Sequence, residues 1–258
     1  MRAIWKGAIA FGLVNIPVKL FSASQGSELD LDMLDAKDHA RIRFRRVNEN
    51  TGKEVPYERI VRALNSEGRY VVVSDEDMKK AAAEKTGTIS IQDFIPEEQV
   101  PGKYFEKPYY LAPEKSGERA YALLREALKK SKKVAVATFV MRTKEHPGLL
   151  VPDGDVLILN QLRYAEEVRD PNELNVPRDV KIPPAELKLA MSLIDQGTGE
   201  FDIKRYKDTY SEQLMKMIHA KANGKPIPQK ELKVVHTKGD DLMDQLKASL
   251  NTRKKKAS

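Results

Sequence analysis

The run Arg41-Ile42-Arg43-Phe44-Arg45-Arg46 carries the densest chemical signal in this chain. Side chains on a strand alternate between faces. Arg41, Arg43 and Arg45 would therefore project to one side, with Ile42 and Phe44 turned into a core. Guanidinium groups at that spacing make a ledge for phosphate oxygens, because their planar fork matches phosphate geometry. A solvated outer face fits the same residues, with the arginines paired to nearby acids such as Asp35, Asp38 and Glu49. Further cations lie downstream. Lys129, Lys130, Lys132 and Lys133 gather at the end of an expected helix, where the macrodipole favours positive charge. Arg142 and Lys144 stand where a β segment turns before Pro147-Gly148. They form either a basic hairpin tip that reaches a nucleic-acid backbone or an ordinary solvated turn. The terminal Arg253, Lys254, Lys255 and Lys256 form a basic arm, suited to weak nonspecific phosphate contact or to solubility alone.

Signals for catalysis are poor. His39, His146, His219 and His236 stand far apart, and none has a second ligand at helical spacing. There is no Walker loop and no dinucleotide fingerprint. The alternation Glu28-Leu29-Asp30-Leu31-Asp32 reads as an extended edge with its acids outward. Asp153-Gly154-Asp155 reads as a turn between apolar segments. Glu166-Glu167 follows Tyr164 without a partner motif. The residues support no enzyme, no metal site and no cofactor.

The elements that position these groups follow from composition and pattern. Apolar residues make up 41% of the 258 and charged residues 32%, which suffices for a core beneath a heavily ionic surface. No run of about 18 apolar residues suggests a membrane span. The absence of cysteine excludes disulfides and thiolate sites and fits a cytosolic protein. A net charge of +7 and a pI near 9.3 point toward an anionic partner such as nucleic acid. The apolar opening of residues 1–23 is interrupted by Lys6 and Lys19 and lacks a cleavage site. It is expected to be the first hairpin of a β core rather than a signal peptide.

Strands are expected over 3–10, 14–22, 41–47, 69–73, 88–95, 109–112, 134–141, 149–151 and 156–159. Helices are expected over 75–84, where Ser74 and Asp77 form a capping pair, and over 118–130, with Ala120, Leu123, Leu124, Ala127 and Leu128 on one face. Beyond Pro183-Pro184 the pattern turns helical. A helix over 185–195 is expected to bury Leu187, Leu189, Ala190, Leu193 and Ile194. A long helix over 203–222 is expected to carry Tyr206, Tyr210, Leu214, Met217 and Ile218 on one stripe. A short apolar piece (232–235) and a short helix (240–249) follow.

Several segments together resemble the bacterial Ku proteins: RAIW and AIAFGLVNIPVK within 2–19, AKDHARIRFRRV at 36–47, VRDP at 168–171, PAELKLA at 184–190, and RYKDTY with EQL within 205–214. The resemblance implies an α+β, mainly β chain. A Ku-type β-barrel core (1–183), with inserted helices, would encircle DNA and dimerise. A helical C-terminal arm (184–225) would pack on the core or recruit a ligase, and a short segment with a basic tail (226–258) would follow. It further implies a cytoplasmic, nucleoid-associated homodimeric ring. Such a ring threads onto double-stranded DNA ends without reading sequence, bridges them, and recruits a multidomain ATP-dependent DNA ligase for nonhomologous end joining. It implies neither an enzyme nor a membrane partner.

On that resemblance the DNA-facing candidates are Arg41, Arg43, Arg45 and Arg46, then Arg142 and Lys144, then Arg253, Lys254, Lys255 and Lys256. The partner-facing candidates are Arg205, Tyr206, Tyr210 and Leu214, which packing on the barrel or in a dimer would equally explain. The chain departs from many relatives where they carry Cys-x-x-Cys. Here Asn48 and Thr51 stand, so turn chemistry around Asn50, Thr51 and Gly52 must hold that loop. The tail is short, which puts tail-driven bridging of ends in doubt. Two other classes remain on the residues alone. A general DNA-binding barrel would need no threading, and a metal-dependent nuclease would need a carboxylate cluster that the chain does not recognisably supply.

Overall fold

The computed structural model describes residues 1–27, 29–82, 87–177 and 179–224, together with Leu246 and Ser249. The apolar piece at 232–235 and the basic arm at 253–256 lie outside these residues, as does most of the helix expected over 240–249. Two compact units emerge, Met1–Pro171 and the chain from Asn172 onward.

In the first unit seven strands close into a barrel. They are β1 (Trp5–Phe11), β2 (Val14–Ser22), β5 (Thr88–Ile95), β6 (Phe105–Pro113), β7 (Val134–Met141), β8 (Lys144–Asp153) and β9 (Val156–Leu162), in the order β1-β2-β6-β9-β8-β7-β5. Every neighbour pair is antiparallel except β1 with β5, which closes the barrel in parallel through Ala8–Thr88, Ile9–Ile89 and Ala10–Ser90. The period of two along each strand sets the inside. Ile9, Ile16, Val18, Leu20, Ile89, Leu111, Ala137, Phe139, Leu157 and Leu159 are all buried. Closure removes the free edges that an open sheet would expose.

Two glycines make this closure possible. Gly12 takes a positive φ of 58° in the β1–β2 turn, a conformation that costs other residues energy. At Gly7 a Cβ would sit 2.0 Å from the Gly87 carbonyl oxygen and 2.2 Å from the Trp5 ring. Only a bare Cα lets the Gly87 chain approach β1, where Gly87 O accepts the Ala8 N–H at 2.9 Å.

One end of the barrel is covered by α2 (Glu118–Ser131). The Tyr121 hydroxyl donates to Leu111 O and accepts from Leu157 N, both at 2.6 Å, while Leu124 and Leu128 enter the core. The buried stripe is thus Tyr121, Leu124 and Leu128. The expected Leu123 and Ala127 are exposed, because at 3.6 residues per turn they lie on the far side from Tyr121. Lys132 ends the helix in the left-handed conformation, at φ 54°.

Between β2 and β5 the chain leaves the barrel. This excursion holds a two-stranded hairpin, β3 (Arg62–Ser66) with β4 (Arg69–Val73), and α1 (Asp75–Ala81). The Arg62–Ser66 strand was not expected, since its RALNS sequence lacks β-branched residues. It is fixed by a turn in which Glu67 and Gly68 both have positive φ and the Gly68 N–H donates to the Asn65 side chain at 3.1 Å. The expected cap of α1 is present: Ser74 Oγ accepts the Asp77 N–H at 3.1 Å, and Asp77 accepts the Ser74 N–H at 3.0 Å.

The second unit contains α3 (Pro184–Gly197) and α4 (Thr209–Ala222). Leu187 and Ile194, expected to be buried, are exposed, while Leu189, Ala190 and Leu193 are half-buried. The single helix expected over 203–222 is interrupted. Ile203–Arg205 is one 3-10 turn, and α4 begins only after Asp208, whose side chain accepts the Ser211 N–H at 3.0 Å. The Ser211 hydroxyl, and then that backbone bond, hold the Asp208 carboxyl below its usual range. Among the described residues, no helix is long and apolar enough to cross a membrane.

Candidate nucleic-acid interface

The expected strand over 41–47 is not a regular strand. It is an extended segment tied down by two isolated bridges, Leu34–Arg41 and Val47–Glu54. Neither face has a core behind it. Ile42 is 46% exposed and Phe44 80%, so both turn to solvent instead of inward. The barrel interior is already filled by its own seven strands, and among the described residues nothing buries this segment. From Asp30 to Val72 every residue is exposed except half-buried Val55.

Turn chemistry holds the segment at each end. The Asp35 side chain accepts the Lys37 N–H and that of Asp38 the Ala40 N–H, while His39 takes a positive φ. At the other end Asn48 Oδ1 accepts from Asn50 N, Thr51 N and the Thr51 hydroxyl, at 3.0 to 3.2 Å. Gly52, at φ 66°, donates its N–H to Asn48 O. Asn48 and Thr51 thus close this loop by hydrogen bonds.

The arginines are held lightly. Arg41 Nη2 lies 2.7 Å from Asp32 Oδ2, and Arg45 Nη1 lies 3.2 Å from Glu54 Oε2. Their carboxylate partners differ from the expected Asp35, Asp38 and Glu49. Both pairs are well exposed, so each is worth at most about 1 kcal/mol, and phosphate oxygens can replace the carboxylates at little cost. Arg46 sits over the Tyr57 ring, 5.3 Å from its centroid. Arg43 has no ion-pair or hydrogen-bonding side-chain partner among the described residues. The Tyr57 stack is a contact that reading the sequence missed, since a ring eleven residues downstream gives no local signal.

Arg142 and Lys144 share the β7–β8 turn, in which Met141 pairs with Lys144 and Arg142 has a φ of 61°. Lys144 is engaged by Glu167 at 3.3 Å and lies over the Tyr164 ring. The Tyr164 N–H and Lys144 hold the Glu167 carboxyl below its usual range. Arg142 has no ion-pair partner among the described residues and stands at the rim of a cavity in the open end of the barrel.

In the second unit Arg205, Tyr206 and Tyr210 are exposed and Leu214 half-buried. Tyr206 precedes α4 and stacks on Phe201, with centroids 6.5 Å apart, so it does not share one helical stripe with Tyr210.

Two of the acids weighed for metal binding are otherwise engaged. Asp32 pairs with Arg41, and Asp155 pairs with Arg125 at 3.4 Å beside Gly154, whose φ is positive. Among the described residues, no group of three or more His, Asp or Glu gathers at metal-binding range.

Residues 10–189 match the family model described as the Ku70/Ku80 beta-barrel domain. The non-homologous end joining protein Ku of Coxiella burnetii is 41% identical over 98% of this chain and 96% of its own length. The protein of the same name from Pseudomonas aeruginosa is 40% identical over 98% of this chain and 89% of its own length. That from Opitutus terrae is 38% identical over 97% and 92%.

Proposed function

This chain belongs to the Ku family, and from that premise we propose that it binds the ends of broken double-stranded DNA in non-homologous end joining. It does so as a homodimeric ring that threads onto the duplex and recruits an ATP-dependent DNA ligase. The role is one of binding and assembly and needs no catalytic group.

The observation that carries this reading is the excursion between β2 and β5. It is a long segment with solvent on all sides, edged with arginines whose ion pairs are exposed and weak. A protein that accepts any broken end must hold the phosphate backbone rather than base edges, because base contacts impose sequence preference. Arg41, Arg43, Arg45 and Arg46 suit that task. Arg142 and Lys144 are secondary contacts, and Arg253, Lys254, Lys255 and Lys256 supply a weak nonspecific one.

The same excursion supports self-association. It exposes Phe44, Val61, Leu64, Tyr70, Val71 and Val72. A two-stranded hairpin is marginal by itself. Both of its faces carry exposed apolar side chains, Leu64 and Val71 on one and Tyr70 and Val72 on the other, and exposed apolar surface marks an interaction site. A second copy presenting the same surface covers the hairpin and closes a ring. In the second unit Arg205, Tyr206, Tyr210 and Leu214 form the candidate ligase-facing surface, with two exposed tyrosine rings as anchors.

Charge reversal tests the DNA surface. The triple variant Arg41→Glu, Arg43→Glu, Arg45→Glu is expected to lose duplex binding in a filter or mobility-shift assay and to remain a dimer by sedimentation. Tight binding by the folded variant would remove the excursion as the DNA-facing element.

A further inference from the structure

The end of the barrel opposite α2 is open, and its mouth is chemically unlike the rest of the interior. A cavity of about 840 Å³ lies there, bounded by the starts of β1, β6 and β8 and the ends of β2, β7 and β9. Pockets of this size take small organic ligands, and barrel mouths are a recurrent place for them.

The inward positions change character on approaching the mouth. Leu111, Phe139 and Leu159 are apolar, but the next inward positions are Tyr109, Met141 and Gln161. Gln161 is 8% exposed. Its amide is held by the Tyr109 hydroxyl at 3.2 Å, Glu106 Oε2 at 3.0 Å and His146 Nδ1 at 3.2 Å. A polar layer this well built inside a barrel costs desolvation that apolar residues would avoid. Folding alone gives no reason to place it there.

The rim adds charge. Lys107 and Arg142 line the cavity, and neither has an ion-pair partner among the described residues. Lys6 also borders it, but its strand position is paired with Lys19 on the outer face. Glu106 is the single carboxylate among the lining residues. Burial, with Lys144 nearby, pushes the His146 pKa down despite Glu106 and Glu167, so the ring is neutral at pH 7 and does not alter the balance. Trp5, Ile4, Val140 and Met141 supply apolar wall. The walls suit a flat organic body, the polar layer suits its hydrogen-bonding atoms, and the cationic rim suits an anionic group.

We propose that the open mouth of the barrel is a binding site for a nucleoside phosphate, with Lys107 and Arg142 on the phosphate and Trp5 beside the base. Two sources present this chemistry, a free nucleotide and the 5′-phosphorylated terminus of a nucleic-acid strand. The site is separate from the arginines at 41–46 and does not depend on them.

Trp5 is the sole tryptophan of the chain and lines the cavity, so its emission reports occupancy directly. The full-length protein is titrated with ATP, with a 5′-phosphorylated dinucleotide too short to thread through a ring, and with inorganic phosphate. Trp5 is excited at the red edge of its absorption. Saturable quenching by ATP or by the dinucleotide is expected, with phosphate much weaker. Tighter response to the dinucleotide assigns the strand terminus, and tighter response to ATP assigns the free nucleotide. The variant Lys107→Glu is expected to weaken binding about tenfold, since one charge-assisted contact is reversed, with linear-duplex binding retained. Lys107→Gln serves the same purpose if the reversal impairs folding. An unchanged Trp5 emission with ATP and dinucleotide would overturn the proposal. So would unweakened binding by the folded variant, or phosphate binding as tightly as ATP.

Discussion

The barrel and the excursion between Ser22 and Thr88 resolve the same problem in opposite ways. In the barrel Ile9, Leu20, Leu111, Phe139 and Leu159 are buried by the chain's own strands. In the excursion Phe44 is 80% exposed, Tyr70 76% and Leu64 67%. The barrel's apolar residues need nothing outside their own unit. Those of the excursion stay in water unless another molecule covers them. Its cations follow the same logic, with exposed and replaceable carboxylates on Arg41 and Arg45 and no partner on Arg43 among the described residues. One region covers its own apolar side chains, and the other leaves its apolar side chains exposed.

Substitutions of the same chemical kind should therefore have unlike effects in the two regions. Phe139→Ala, in the core, is expected to destabilise the fold by about 3–5 kcal/mol, through lost burial and the cavity left behind. Phe44→Ala is expected to change intrinsic stability by no more than about 0.5 kcal/mol. It should instead weaken self-association, visible as a weaker dependence of the urea midpoint on protein concentration than in the wild type. Equal losses at the two positions, with the wild-type concentration dependence kept, would break the distinction.

A smaller effect probes the closure between β1 and β5. Gly7→Val places side-chain atoms where the Gly87 carbonyl and the Trp5 ring already stand and is expected to cost about 1–3 kcal/mol by overpacking. Altered Trp5 emission in the native state should accompany the loss. In the excursion Gly52 has open space around its Cα but a φ of 66°. Gly52→Ala therefore acts through backbone strain alone, on the order of 1 kcal/mol, with no effect on Trp5.

The smallest effect is a pH dependence confined to the barrel. His146 has a pKa below its unfolded value because burial disfavours its charge. The unfolded chain then binds the extra proton more readily, and stability rises with pH across that interval. The contribution of a neutral His146 is complete above the ordinary histidine pKa and is lost as pH falls toward the depressed one. Urea midpoints taken downward from neutral pH should fall for the wild type and fall less for His146→Gln.

The legibility of the sequence divides along the same line. Strands over 14–22, 69–73, 88–95 and 134–141 stand where the alternation put them, because each is short, β-branched and bounded by turn residues. Residues 41–47 show the same alternation and are not a strand. Alternation says which residues share a face, but not whether a core lies behind it. The Leu187 and Ile194 faces of α3 fail for the same reason: amphipathicity reports a surface that wants covering, without saying by what. α4 starts late because the Asp208 cap outweighs the apolar stripe running back to Tyr206. Of the candidate DNA contacts, the arginine run was visible as charge. The Arg46–Tyr57 stack and the gathering of Lys107 and Arg142 at one barrel mouth required the folded excursion and the closed barrel.

In the proposed assembly the excursion and its copy in a second chain close around a duplex entered from an end. The most direct measurement compares binding to one linear duplex with binding to the same DNA as a closed circle, at one fixed salt concentration, since phosphate contacts are salt-dependent. Strong binding to the linear form and little to the circle is expected, with binding appearing once the circle is cut. Equal binding to both would contradict that assembly, and would mean that the arginines form an open cationic surface rather than the inside of a ring.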